Sequence, residues 1–435
     1  MTNNREYHLH RFSRFEGEIR PPGSKSIANR ALLLAALARG QTAIHHLPPA
    51  DDVEILVENL PHLGIEVRGD IPGEHNGVVY VKGAGGPFPV DRADLDLGNA
   101  GTALRPLTAL LAAGEGHYRI DGNAQMRRRP IGDLVQALQS LGVHLSCAEG
   151  SYPPIELDAR GLPGGETLVS GKISSQFVSA LLLAAPLARG PIHIRLDEEP
   201  VSKPYIDLTL AMMAEFGVSC RREGYRFFDP ARGPYVSPGR YEIEPDATAA
   251  TYFVGAGALP GCGPVRVNGL GSLSKQGDVA FADVLRKMGA SVAVDDGAIE
   301  VSGPPRGTAL KALDIDMNAM PDAAMTLAVL ALFCDGETHI RNIANLRVKE
   351  SERVRGLRNE LEKLGAVVRE ESDALHIRPP AQLRPARIET YDDHRMAMAF
   401  ALAAFGTDVM ILDPGVVSKT YRGFFDDFLP LCRAE

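Results

Sequence analysis

Three features of this sequence point to an α/β protein of two domains, each assembled from three β-α-β-α-β-β units. The first is length: 435 residues exceed the roughly 250–300 residues at which a single core stops growing. The second is a hidden period. An Ala/Leu-rich segment ending in Gly and running into a β-like stretch occurs six times, closing at Gly40, Gly116, Gly190, Gly263, Gly336 and Gly406, with spacings of 76, 74, 73, 73 and 70. An amphipathic helix closing on Leu-, Met- or Phe-Gly recurs at Gly64, Gly142, Gly217, Gly289 and Gly365, with spacings of 78, 75, 72 and 76. In both series Gly is expected at the helix end, where a left-handed conformation is cheap for Gly alone. The third is the alternation of strand and helix patterns, which implies crossover connections and mixed sheets.

In chain order, each unit opens with a strand and then a helix apolar almost all round, as suits a helix buried within a layer of sheets. A second strand, an amphipathic helix and two closing strands follow. The fourth unit reads RYEIEPDATAATYFVGAGAL, PVRVNG, DVAFADVLRKMG, SVAVDD and AIEVSG. The sixth stops after its second helix, SKTYRGFFDDFLPLC, and the strand-like stretch 7–15 is expected to supply a missing strand. That places the N-terminus in the C-terminal domain. The expected division is 22–243 for one domain and 1–21 plus 244–435 for the other.

Composition narrows the function. The chain is 45% apolar and 23% charged, ordinary for a globular protein. A net charge of −9 argues against a sequence-independent nucleic-acid binder. Five widely spaced cysteines without a CxxC pair suggest neither a disulfide framework nor a zinc knuckle. The polar start MTNNREYHLH and the absence of a spanning apolar run point to a cytoplasmic protein with no membrane partner.

Polar residues concentrate immediately before the buried helices: Pro-Gly-Ser-Lys-Ser at 22–26, Gly-Asn-Ala-Gly-Thr at 98–102, Ser-Ser-Gln at 174–176, Asp246, Pro-Asp at 321–322 and Asp-Asp-His-Arg at 392–395. Helix starts offer unpaired N–H groups and a positive dipole end, so such residues there can form anion sites. The slot before the amphipathic helix is basic in several units: Arg127 to Arg129, Lys203, Arg347 with Lys349 and Arg353, and Lys419. Basic positions recurring in an acidic chain favour phosphate and carboxylate ligands. Ordinary readings compete with these. Single Ser or Asp residues at helix starts are most often caps, and Glu350 with Arg353, read as i, i+3 on a helix, has the spacing of a surface ion pair. Asp392-Asp393-His394 lacks a second ligand set for a metal. Gly-Ser-Lys-Ser at 23–26 lacks the Walker spacing.

The segments PPGSKSIANRALLLAALARG, LGNAGTALRPLTALLAAG, RRRPIGDLVQAL, ISSQFVSALLLAAPLA, VSKPYIDLTL, PDAAMTLAVLALF, NLRVKESERV, YDDHRMAMAFALA and DPGVVSKTYRGF resemble, in order, the 5-enolpyruvylshikimate-3-phosphate synthase family. The resemblance implies an inside-out α/β barrel arrangement of two domains, each of three such units. It also implies transfer of the carboxyvinyl group of phosphoenolpyruvate to the 5-hydroxyl of shikimate 3-phosphate with release of phosphate. No metal or organic cofactor is implied, the partners are the two small-molecule substrates, and a monomer is expected. Carried over by residue, shikimate 3-phosphate falls to Lys25, Ser26, Arg30, Ser174, Ser175, Gln176, Ser202, Tyr205, Asp322, Asn345 and Lys349. Phosphoenolpyruvate falls to Lys25, Asn99, Gly101, Gln125, Arg129, Gln176, Arg353, Arg395 and Lys419. The catalytic set is Asp322 as base for the hydroxyl, Glu350 for proton transfer at the methylene, Lys25, and His394 assisting.

One departure stands out. Many members carry Arg-Met where this chain has Gln125-Met126, so the phosphoenolpyruvate-binding charge is reassigned to Arg129, with Gln125 a polar contact. Gly101 is the small residue whose replacement narrows the pocket to glyphosate in this family, which implies a glyphosate-sensitive protein. Residues from both halves are needed, so domain closure on the ligands is expected. Two alternatives stand beside this reading: the related UDP-N-acetylglucosamine enolpyruvyl transferase, whose reactive loop Cys has no counterpart in DGNAQMRRRP, and a non-enzymatic repeat scaffold.

Overall fold

The computed structural model describes residues 6–69, 77–148 and 151–434. The first five residues of the polar N-terminal stretch and the last residue of the C-terminal domain assignment lie outside them. The chain divides into two compact units: a continuous one, Gly23–Ile243, and a split one made of the segment up to Pro22 and everything from Glu244 onward. Each has its own apolar core.

The sequence period is visible as sheets. In the second repeat, strand Arg92–Asp96 pairs parallel with Glu115–Asp121, which pairs antiparallel with Tyr152–Arg160, itself antiparallel to His144–Ala148. The third repeat builds the same order from Gly165–Leu168, Ile192–Arg195, Phe227–Pro230 and Cys220–Glu223, and the fifth from Asp314–Asp316, Thr338–Arg341, Leu375–Arg378 and Val367–Glu370. A helix crosses over between the two parallel strands each time, as the parallel connection requires.

Repeats one and four depart from the sequence expectation. Arg240–Glu242, read from sequence as the opening strand of the fourth repeat, instead pairs parallel with Gln41–His45 and completes the first. The fourth repeat takes Gly17–Ile19, parallel to Val265–Asn268. Each unit thus closes on its own material. The expectation for 7–15 is met: Glu6–Leu9 pairs with Val409–Leu412 and completes the sixth repeat, while Phe12–Phe15 pairs with Cys432–Ala434.

The first helix of each repeat is the buried one. Every residue of Ala247–Gly257, Ala324–Leu330 and His394–Phe400 is buried, and in Lys25–Leu37 only Ser26 is not. Within the continuous unit Lys25–Leu37, Gly101–Ala112 and Ser175–Ala184 pack on one another inside their sheets, and the split unit repeats the arrangement. Such interior helices are mostly apolar and concentrate polar groups toward their starts, where the site residues gather, although Arg30, Arg105 and Ser179 sit further in. The second glycine series ends helices as expected: Gly64, Gly142, Gly217, Gly289 and Gly365 all have φ between 77° and 99°. The first series is mixed: Gly406 caps Ala401–Phe405 as expected, but other members do not end a helix. Gly116 lies inside the strand Glu115–Asp121, where a Cβ would stand 2.3 Å from the Asp91 carbonyl oxygen, so it marks a close strand approach rather than a helix end.

Candidate functional site

In four repeats, side chains at or near the start of the first helix meet side chains at or near the start of the second, about thirty residues on: Lys25 pairs with Asp52, Asn99 with Arg129, Thr248 with Asp278, and Asp322 with Arg353. In the third repeat the same spacing is kept further into both helices, by Ser179 and Thr209. Contacts between successive repeats keep the full period: Asn29 to Thr102, Arg105 to Gln176, Thr251 to Thr326 and Asp322 to Arg395.

In the continuous unit, Lys25 is 7% exposed and its Nζ lies 2.9 Å from Asp52 Oδ2. Asp52 was missed from sequence because the second slot of the first repeat is acidic, outside the basic pattern. Among the described residues no side chain caps Lys25–Leu37 or Gly101–Ala112, and the Gly101 N–H is instead taken by the Asn99 carbonyl at 3.0 Å. Arg30 donates from Nε to Thr209 Oγ1 at 2.9 Å and from Nη1 to the Ser26 carbonyl at 2.9 Å. Burial lowers its pKa to about 10, against a smaller opposing effect of Tyr205. It remains a cation at neutral pH.

Ser174 caps Ser175–Ala184, its Oγ accepting from the Gln176 N–H at 3.2 Å, while Ser175 is buried just behind it. The Gln176 side chain is held by Arg105, whose Nη1 reaches Gln176 Oε1 at 2.5 Å and whose guanidinium also lies over the Phe177 ring. Arg105 also escaped sequence reading, since it sits inside an apolar helix rather than in a slot. Ser202 takes a left-handed conformation, φ 55°, at the start of Lys203–Glu215. A non-glycine residue held there is strained, which marks functional positions more often than ordinary loops. The half-buried Tyr205 follows within the same turn, its N–H bonded to the Ser202 carbonyl.

The basic triplet separates by direction. Arg127 turns outward to Asp121, Arg128 is exposed, and Arg129 turns in and is buried. Arg129 Nη1 donates to Asn99 Oδ1 at 3.0 Å, and Asn99 Nδ2 donates to Gln125 Oε1 at 2.5 Å. A Cβ on Gly101 would stand 2.9 Å from Arg129 Nη2, so the absence of a side chain there makes room for the guanidinium.

The split unit gathers charge. Arg353 is 0% exposed and holds three carboxylates at once: Asp322 Oδ1 at 2.9 Å from Nη1, Glu350 Oε2 at 2.7 Å from Nη2, and Asp393 Oδ2 at 2.7 Å from Nε. The Glu350–Arg353 pair is therefore buried rather than a surface pair. Glu350 precedes the helix Arg353–Lys363, whose cap is Glu352, so the two do not share a helix face.

Asp322 also takes Arg395 Nη2 at 3.0 Å and has Lys349 Nζ at 3.7 Å. Burial alone would raise its pKa and Glu350 adds to that. Arg395, Lys349 and Arg353 outweigh both and hold it well below the ordinary carboxylate range. Arg395 Nη1 also donates to the Tyr252 hydroxyl at 3.3 Å, and burial pushes that phenol up to about 12, beyond proton chemistry near neutrality. Asp393 accepts from the Ser351 hydroxyl at 2.9 Å and from the Arg395 N–H at 3.0 Å. His394 is fully buried with Nδ1 3.6 Å from Asp393 Oδ1, which places it beside that carboxylate. Asn345 is buried in the turn Ala344–Val348 that leads to Lys349. Lys419 is buried at the end of Pro414–Lys419, where its charge opposes the burial-driven rise of the Asp392 pKa. Among the described residues, no helix is long and apolar enough to cross a membrane.

Buried-helix repeats with cations, carboxylates and hydroxyls at the helix starts define a protein of the enolpyruvyl transferase fold. The structure superposes on EPSP synthase from Acinetobacter baumannii with a TM-score of 0.81 at 23% identity, covering 99% of this chain and 98% of that one. It superposes on the enolpyruvyl transferase NikO from Streptomyces tendae with a TM-score of 0.78 at 22% identity, covering 98% and 96%. The profile described as EPSP synthase (3-phosphoshikimate 1-carboxyvinyltransferase) matches residues 9–428, and the chain belongs to that family. Relatives named 3-phosphoshikimate 1-carboxyvinyltransferase include those of Laribacter hongkongensis, 50% identical, and Shewanella sp. strain ANA-3, 49% identical. Both align over 419 residues that cover 95% of this chain and 96% of the relative.

Proposed function

We propose that the protein transfers the carboxyvinyl group of phosphoenolpyruvate to the 5-hydroxyl of shikimate 3-phosphate and releases phosphate. The observation that carries this is the pair of carboxylates, Asp322 and Glu350, seated on the two terminal nitrogens of one buried guanidinium. Adding an alcohol across an enol ether requires one proton to leave the hydroxyl and another to reach the methylene carbon, so two acids in one place serve it. Asp322, kept ionised, takes the 5-hydroxyl proton as the oxygen bonds to C2 of phosphoenolpyruvate, while Glu350 delivers a proton to the CH₂. In the second step Glu350, ionised by the first, takes a proton from the methyl group of the tetrahedral intermediate as the C–O bond to phosphate breaks, giving the enol ether and inorganic phosphate.

The cations around Asp322 lower its basicity while no anion is bound. Phosphate and carboxylate groups arriving near Lys349, Arg395 and Lys419 would partly neutralise that field and raise the basicity of Asp322 when it is needed. Shikimate 3-phosphate is assigned to Lys25, Ser26, Arg30, Ser174, Ser175, Gln176, Ser202, Tyr205, Asp322, Asn345 and Lys349. Phosphoenolpyruvate is assigned to Lys25, Asn99, Gly101, Gln125, Arg129, Gln176, Arg353, Arg395 and Lys419, with Arg353 also holding the two acids. The Asn99 link between Gln125 and Arg129 supports the reassigned charge at Arg129. The reading includes a monomer working in the cytoplasm. Phosphate release should require shikimate 3-phosphate and phosphoenolpyruvate together. Release with UDP-N-acetylglucosamine in place of shikimate 3-phosphate, or no release with either acceptor, would overturn the proposal.

A further inference from the structure

The sheet of the fifth repeat carries a second constellation, made by residues that the reaction does not use. His339 and His376 face each other across the antiparallel pair Thr338–Arg341 and Leu375–Arg378, with ring centroids 4.5 Å apart. Their strand neighbours Thr338, Ile340, Leu375 and Ile377 are buried, so by strand alternation both imidazoles stand on the face away from the core. Glu337 places Oε1 3.2 Å from His339 Nε2, while its Oε2 is held by Arg378 at 2.7 Å. One donor atom from each of Glu337, His339 and His376 lies within 4.8 Å of the others.

His376 distinguishes this cluster from an ordinary surface pair. It is 8% exposed and, among the described residues, neither ring nitrogen has a hydrogen-bond partner. Its Nε2 is 3.2 Å from Glu371 Oε1, without hydrogen-bond alignment. A buried imidazole in that state is costly unless something else takes its lone pair. Asp314, register partner of His339 on the parallel side, brings Oδ2 to 4.0 Å from His339 Nδ1.

Two imidazole nitrogens and a carboxylate oxygen are the donor set of zinc and its neighbours, whereas magnesium and calcium prefer oxygen alone. Metal–ligand bonds of about 2.0–2.2 Å put tetrahedral ligand atoms roughly 3.3 Å apart. The donor atoms, within 4.8 Å of one another, would have to draw together by side-chain rotation to reach that spacing, and Glu371 Oε1, 3.2 Å from His376 Nε2, is a further oxygen nearby. We infer that Glu337, His339 and His376 form a binding site for a zinc-class divalent metal that ties two strands of the fifth repeat together.

The test is calorimetric titration of Zn²⁺ into metal-stripped full-length protein, with Mg²⁺ as comparison. The expected result is one Zn²⁺ per chain, a thermal midpoint that rises with excess Zn²⁺, and no response to Mg²⁺. His376→Ala and His339→Ala should each weaken Zn²⁺ binding at least tenfold and abolish the thermal shift. His339→Ala should leave metal-free activity unchanged. Absence of Zn²⁺ uptake by the native chain, or equal uptake by the His variants, overturns the inference. Should His376→Ala fail to fold, the half-exposed His339→Ala decides alone.

Discussion

Repeats four and five lie side by side in the split unit and present the same two slots, yet one seals its helix start and the other charges it. In repeat four, Asp246 accepts from the Ala249 N–H at 2.9 Å, Gln276 from the Ala247 N–H at 3.1 Å, and Asp278 from the Thr248 hydroxyl at 2.6 Å. These three bonds stay within the repeat. In repeat five the equivalent positions hold Asp322, Lys349, Glu350 and Arg353, and their partners extend into repeat six through Arg395 and Asp393. The comparison separates what the fold provides, a converging pair of helix starts, from what the side chains decide, a cap or a reaction centre.

The sharpest way to break that contrast is to remove the cation that three acids share. Arg353→Met should cost about 3–5 kcal/mol, the penalty for leaving buried charges without a partner, read as a lower urea midpoint with turnover lost. Asp322→Asn should reduce kcat by about 10²–10⁴-fold, the range for a lost general base, and also lower the urea midpoint at neutral pH, since it removes the carboxylate that Arg353, Arg395 and Lys349 share.

The same substitution tests the acid limb of stability. A carboxylate held below its ordinary value adds stability that is fully present above its unfolded pKa of about 3.9 and is lost as pH falls through the lowered folded value. Asp322→Asn should accordingly flatten the loss of unfolding free energy below about pH 4, measured by denaturant titration at stepped pH. In the continuous unit, Arg129→Ala should raise the KM for phosphoenolpyruvate about tenfold or more, near 1.4 kcal/mol. Gly101→Ala should act in the same direction, since its methyl would meet the Arg129 guanidinium. An unchanged KM in Arg129→Ala would return the role to Gln125. Smallest is Asp246→Ala, which should lose about 1 kcal/mol of stability, as a helix cap does, and leave kcat and KM alone. If it altered turnover, repeat four would not be the silent partner described.

Much of this was legible beforehand, and the exceptions have physical reasons. The period, the buried first helices and the charged slots follow from composition at fixed spacing, because a helix with no polar face has only its end on which to place polar groups. The strand exchange was not legible: Arg240–Glu242 has the local pattern of an opening strand, and only pairing shows which repeat it opens. Nor was the burial of Arg353, because an i, i+3 pair looks the same in sequence whether solvent or two further carboxylates surround it. His339 and His376 are distant in the chain and meet only through strand register.

The strand exchange also bears on the order in which the chain can fold as it is made. Gly23 and Ile243 abut at the ends of the continuous unit, where a Cβ on Gly23 would come within 2.9 Å of the Ile243 side chain. That unit holds all its own strands and can complete its core soon after residue 243 leaves the ribosome. The split unit begins first and finishes last: Gly17–Ile19 and Glu6–Leu9 must wait for Val265–Asn268 and Val409–Leu412 to be synthesised. Through most of translation these first strands have exposed edges and no partner, which makes them the stretch of a newborn chain most in need of protection from pairing elsewhere.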